Sequence, residues 1–187
     1  MAEWQYIETD TVPWNHMSAE GNADNIASLL YSLDFTLESI AGILGNMEHE
    51  SFLNPAQHQI GGGDGLGLIQ WTPSTSLINY VPEPWYNGNH QVNLVVQEMN
   101  GTVSGRWLPT SRYPYSYEEF KQLTDVVEST EAYCMERERA GVVAMQSRID
   151  YAMQWYDYLG GHHPHTKSKL VILGGGRELL RRMIIHA

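Results

Sequence analysis

The sequence predicts a mainly helical domain, α+β only through one small β-hairpin element. Three observations predict it. Apolar residues recur three and four apart in successive segments, as on one face of an α-helix. Asn, Thr and Ser precede several of these segments, where a side-chain oxygen can accept the first unpaired backbone N–H groups. Only residues 61–71 break the pattern: a glycine run leads into a short apolar segment of strand character.

Residues 1–19 are polar and aromatic, contain Pro13, and read as an irregular arm. Asn22 is expected to cap a helix with Ile26, Leu29, Leu30 and Leu33 on its inner face. Thr36 caps the next helix and Glu38 suits its first turn. Leu37, Ile40, Ala41, Leu44 and Met47 form its buried stripe. Gly45 inside the stripe costs about 1 kcal/mol relative to Ala, which a close helix crossing would explain. The helix should stop near Ser51, because proline at 55 biases Asn54 away from helical geometry.

Glu50 follows Ile43 and Met47 by seven and three residues, so it falls at the edge of the apolar stripe in the last turn. Partial desolvation and the negative end of the helix dipole both disfavour a carboxylate anion there. A carboxyl group that keeps its proton near neutral pH is what protonating a glycosidic oxygen requires. On spacing alone, a solvated glutamate at a helix end is the commoner case. Glu48, His49 and Glu50 are not a metal site, since adjacent helical residues point to different faces.

The run GGGDGLG at 61–67 suits positive-φ turns or close backbone approach to a ligand. It is not a phosphate cradle, since neither a Lys-Ser/Thr pair nor the G-x-G-x-x-G register is present. Gln70 sits within the buried segment that follows and needs a partner, either backbone or a sugar hydroxyl or acetamido group. Tyr80, Trp85 and Tyr86 lie among prolines, and loop aromatics of this kind either stack on sugars or build a second small core.

Val92, Val95, Val96 and Met99 mark another helix, and Trp107 with Tyr113-Pro114-Tyr115 a loop. Ser116 with Glu119 is a capping box for a short helix. Ser129 or Thr130 opens a helix around 132–137, and Val142 to Tyr156 form a last long one stopped by Gly160-Gly161. The expected organisation is therefore an arm over 1–19, a domain over 20–160, and a linker-like basic tail over 161–187 that is either a true tail or the stub of a further domain. His162, His163 and His165 in the tail suggest at most adventitious metal binding.

Charge and composition exclude several function classes. Formal net charge is −11. Residues 1–160 hold 6 Lys and Arg against 21 Asp and Glu, whereas residues 161–187 hold 5 against 1. An acidic body argues against nucleic acid as a partner, since phosphate binding needs a basic face. Cys134 is the only cysteine, so no intrachain disulfide forms. The opening MAEWQY lacks the features of a signal peptide, and no apolar run approaches the roughly 18 residues of a membrane span.

Read together, AGILGNMEHESFLNP and the following GLGLIQWTP resemble the phage tail lysozyme family. More distantly they are similar to goose-type lysozymes and lytic transglycosylases, with their E-S-x-x-N-P and G-x-x-Q elements. The resemblance covers about residues 20–160 and is strongest over 39–73. It implies a lysozyme-like fold and identifies Glu50 as the catalytic acid. It implies substrate-binding roles for Asn54, Gln70 and Trp71, and for Tyr133 and Glu136 through a Y-E-R-P segment in which Glu138 here replaces the proline. Asp64 is expected as a possible second carboxylate, its glycine loop folding back over the helix end that carries Glu50. Glu136 is the next candidate.

The resemblance implies a muramidase that cuts the β-1,4 bond of peptidoglycan glycan strands without metal or cofactor, lytic transglycosylase chemistry remaining open. The alternatives are a wall-binding module of a phage tail that has lost catalysis, or an unrelated helical scaffold. Expected partners are glycan strands and other phage tail proteins, with no nucleic acid and no membrane span. The expected location is the virion tail tip, or a released enzyme acting on the host wall.

Overall fold

The computed structural model describes residues 3–11, 16–138 and 144–160. The expected tail over 161–187, its histidine cluster, Pro13, Val142 and Gly161 lie outside the described residues. The described chain is mainly helical.

Helix α1 (His16–Tyr31) begins before Asn22 rather than at it. Met17, Ser18, Ala19 and Glu20 offer nothing that stops a helix. Asn22 instead lies fully buried inside α1, where it fastens the arm. Its amide nitrogen donates to Gln5 O at 2.7 Å and Leu53 O at 2.8 Å, and its Oδ1 accepts from Gln5 N. Trp4 does the same further along. Its ring covers Gly88 and its Nε1 donates to Asn89 Oδ1 at 3.0 Å.

The central helix is α2 (Leu37–Ser51), with Thr36 as its N-cap and Glu38 in its first turn. Ile40, Ile43, Leu44 and Met47 are fully buried. Two glycines on this helix let others approach its backbone. A Cβ at Gly42 would meet the Ser129 and Thr130 backbone at 2.8 Å. A Cβ at Gly45 would lie 2.4 Å from Arg148 O and 2.7 Å from Ala152 Cβ, so the glycine marks a close helix crossing. α2 ends as Phe52 and Leu53 turn left-handed at φ 55° and 60°, just before Asn54-Pro55.

A short α3 (Thr75–Ile78) leads to α4 (Gly88–Met99), capped by Asn87 and buried along Val92, Val95 and Met99. α5 (Tyr117–Phe120) carries the Ser116–Glu119 capping box. α6 (Val126–Tyr133) starts earlier than expected, with Asp125 as its cap. Ser129 and Thr130 lie inside it and donate back to the carbonyls of Asp125 and Val126, four residues earlier. α6 widens into a π-helical turn (Cys134–Glu138). α7 (Met145–Tyr158) closes the fold, and the chain leaves it through Gly160 at φ 100°. Both α6 and α7 pack on α2.

The expected β-hairpin is not formed among the described residues. Isolated bridges join His58 to Leu66 and Leu66 to Trp71, and Thr9 of the arm pairs with Gln57. The ladder cannot lengthen because the chain turns at once: Gly67 has φ 75° and Gln70 has φ 51°.

Candidate active site

Glu50 lies in the last turn of α2, its side chain about one-fifth exposed. The Arg148 guanidinium of α7 forms an ion pair with its Oε1. Asn46, one turn earlier on the same face, accepts from that guanidinium at 3.0 Å. The Asn46 amide is itself held, donating to Gly42 O at 2.8 Å and Thr130 O at 3.1 Å. Arg148 is almost wholly buried, and the close crossing at Gly45 is what lets α7 bring it in. His49 turns the other way, toward Ser147 Oγ at 3.1 Å. Burial, and then the nearby Arg148, holds its pKa below the usual value, so its imidazole is neutral.

The glycine loop is tied to this helix end from beneath. The buried Ser51 hydroxyl donates to Leu68 O at 2.9 Å. Gln91 of α4 accepts from Leu68 N and donates to Pro55 O and Trp85 O. Gly67 is required here, because a Cβ would come within 2.6 Å of the Gln91 amide. Gln70 donates to Gln57 O and Gly67 O, so backbone is the partner its amide nitrogen finds. Asp64, exposed on the loop, accepts from Ser74 N at 2.8 Å, and its hydrogen bonds to Ser74 hold its pKa below the ordinary carboxyl range.

Trp71 is buried and its indole N–H donates to Glu98 of α4 at 3.2 Å. Glu98 is almost wholly buried, pairs with Arg137 of the π-turn, and has Arg106 at 3.7 Å on its other side. Asn54 is fully buried, joining the arm at Ile7 to the turn at Ala56. Tyr133 is fully buried near Trp107 and Phe120. Glu136 is also buried, accepting from Tyr115 N at 3.2 Å, and burial pushes its pKa up to about 7. Asn54, Tyr133 and Glu136 thus all lie below the surface, so none of the three presents its side chain to a ligand as the sequence had suggested.

The model of the phage tail lysozyme family matches residues 21–159, from the buried Asn22 anchor to the end of α7. The chain belongs to the phage tail lysozyme family. A curated relative, morphogenesis protein 1 of Bacillus phage B103, is 37% identical over 73 residues. That match takes in 37% of this chain and only 20% of the relative, so the chain spans about a fifth of that protein's length.

Within this phage tail lysozyme domain, sequence reasoning missed Arg148 as the partner of Glu50 and Glu98 as the partner of Trp71. Each left a signal. Arg148 lies four and seven residues before the buried Ala152 and Trp155, a charged residue on an apolar stripe. Glu98 shares its stripe with Gln91 and Val95 in the same way. A buried charge is rarely unpaired, so both positions announced a partner without naming it.

Proposed function

We propose that the chain degrades peptidoglycan, cleaving the β-1,4 bond between N-acetylmuramic acid and N-acetylglucosamine, with Glu50 as the general acid. The observation that carries this reading is Glu50 itself. It is a partly exposed carboxyl at the end of the central helix of a phage tail lysozyme domain, aimed by a buried arginine that Asn46 holds in place. Glu50 gives its proton to the leaving glycosidic oxygen, and the resulting carboxylate is stabilised by Arg148. Gln70 lines the wall of the sugar site, the buried Trp71 backs it from the core, and Asp64, held by Ser74, assists by orienting water or substrate. The protein acts on the host wall, either from the virion or after release.

The test is mass analysis of the fragments released from purified walls. Reducing muramic ends mean hydrolysis and anhydro ends mean attack by the sugar's own 6-hydroxyl. Glu50→Gln should abolish release, a loss of about 10²–10⁴-fold for general acid catalysis. Release within a few-fold of wild type would overturn the assignment.

A further inference from the structure

Arg106, in the segment that follows α4, holds a guanidinium whose donors are mostly unspent. Its Nη2 donates to the Ser76 hydroxyl of α3 at 2.6 Å, the one hydrogen bond it makes among the described residues. Its Nε faces Glu98 at 3.7 Å, beyond hydrogen-bond reach. Glu98 is already taken: Trp71 donates to its two oxygens at 3.2 and 3.3 Å, and Arg137 bonds Oε2. Yet only 36% of the Arg106 side chain is exposed. The other described cations differ. Arg137 and Arg148 are buried and bonded to carboxylates, and Lys121 donates to Glu118 at 3.1 Å. Arg112 is largely exposed and lies over the Tyr113 ring.

Ser76 complements Arg106. It is only 8% exposed, its oxygen accepts from Arg106, and its own proton has no acceptor among the described residues. A hydroxyl proton rotates to suit its partner. The two side chains therefore meet with donors to spare. An ionised carboxylate only accepts, and an arginine fork receives it with two parallel bonds. Anions are not gathered by the body at large, since residues 1–160 hold 6 Lys and Arg against 21 Asp and Glu. The place is also specific. Arg106 faces the same Glu98 Oε1 that accepts from the Trp71 indole, so the donors lie beside the Gln70-Trp71 segment.

On the reading that the chain cleaves peptidoglycan, we infer that Arg106 and Ser76 form a carboxylate subsite, which grips a free carboxylate of the peptide borne by muramic acid. The muramic carboxyl is spent in its amide bond to that peptide, so the free carboxylates of the substrate belong to the peptide. Arg106 gives its unspent N–H groups to the two oxygens, and Ser76 gives its proton to one of them. The fork is held beforehand by Ser76 on Nη2 and by the charge of Glu98 beside Nε, so little side-chain freedom is lost on binding. Arg106 is thus a specificity determinant that favours peptide-bearing strands over naked glycan. The contact is remote from the scissile bond and the same before and during reaction, so it acts on KM rather than kcat.

The experiment compares soluble glycan strands that bear free peptide carboxylates, stripped of phosphate polymers, with the same strands after carbodiimide amidation. Wild type should show a KM at least about tenfold lower on the free-carboxylate strands, the scale of a hydrogen bond to a charged group, with kcat little changed. Arg106→Gln should bring the two KM values together. Arg106→Lys, which keeps the charge and loses the fork, should keep its melting temperature and lose most of the difference. A wild type indifferent to amidation, or an Arg106→Gln enzyme that keeps the preference, would sink the inference. Nitrogen NMR of the Arg106 Nε–H in the full chain, assigned through its own side-chain connectivities, reads binding without turnover or substitution. The free peptide should shift this resonance saturably, and the amidated peptide should not. No shift, or an equal shift with inorganic phosphate at the same concentration, would refute the peptide subsite even if Arg106→Gln failed to fold. Wild-type protein that released no wall fragments would defeat the glycosidase reading instead, and the NMR titration would still decide the subsite.

Discussion

Arg148 pairs with Glu50 across 98 residues of chain, and Asn46, one helical turn before Glu50, grips the same guanidinium. The arginine therefore sets the direction of the carboxyl as well as balancing its charge. Lysine has no planar fork and cannot hold both partners in fixed geometry. Arg148→Lys should stay folded with a lower melting temperature and lose wall-degrading rate by at least about tenfold, as expected when a reacting group is misplaced by about 1 Å. Full activity with a lowered melting temperature would show that the arginine serves stability alone.

Gly45→Ala should be destabilising. The added methyl would overlap Arg148 O and Ala152, and overpacking typically costs about 1–3 kcal/mol. Because the displaced segment carries Arg148, activity should fall together with stability. Gly21→Ala is the contrast. Nothing lies within 4 Å of its new methyl, so it should stabilise by about 1 kcal/mol and leave activity untouched. Paired thermal melts and rate assays check both.

Trp71→Ala should cost about 3–5 kcal/mol, the range for truncating a large buried aromatic. It also removes a donor from the buried Glu98. Trp71→Phe separates the two contributions in part: it keeps an aromatic ring in the core, loses the N–H, and leaves a smaller cavity than alanine. Denaturant unfolding should place Trp71→Phe between wild type and Trp71→Ala.

Glu136 gives a pH dependence opposite to that of a salt-bridged carboxylate. Burial raises its pKa from 4.5 to about 7 in the folded chain. The folded state thus holds this proton more tightly than the unfolded state. The resulting stability is fully present below about 4.5 and is lost as pH rises through about 7. Glu136→Gln, which keeps an acceptor for Tyr115 N, should remove this dependence. Melting temperatures across pH 4 to 8 should show wild type falling relative to Glu136→Gln. Parallel curves would mean that Glu136 does not change its proton on unfolding.

The sequence by itself determined whatever is fixed by neighbours along the chain. Thr36 caps α2 through a residue three positions away, Ser116 and Glu119 close their box over the same span, and the chain leaves α2 just before Asn54-Pro55. Such features depend on local sterics and on backbone groups one turn apart, so residue order suffices to read them. The placement of Glu50 in the final turn of α2 follows from the same periodicity. Local signals were overruled where a side chain found a distant partner. Asn22 has the chemistry of a cap but is engaged with Gln5 and Leu53, and Ser129 and Thr130 bond backward inside a helix that Asp125 opens. Only the tertiary structure decided the ion pairs. Helix crossings at Gly42 and Gly45 bring α6 and α7 onto α2, so Arg148 reaches Glu50, and the π-turn that follows α6 carries Arg137 to Glu98. Periodicity shows that a charge is buried, but which opposite charge it meets depends on how the helices cross.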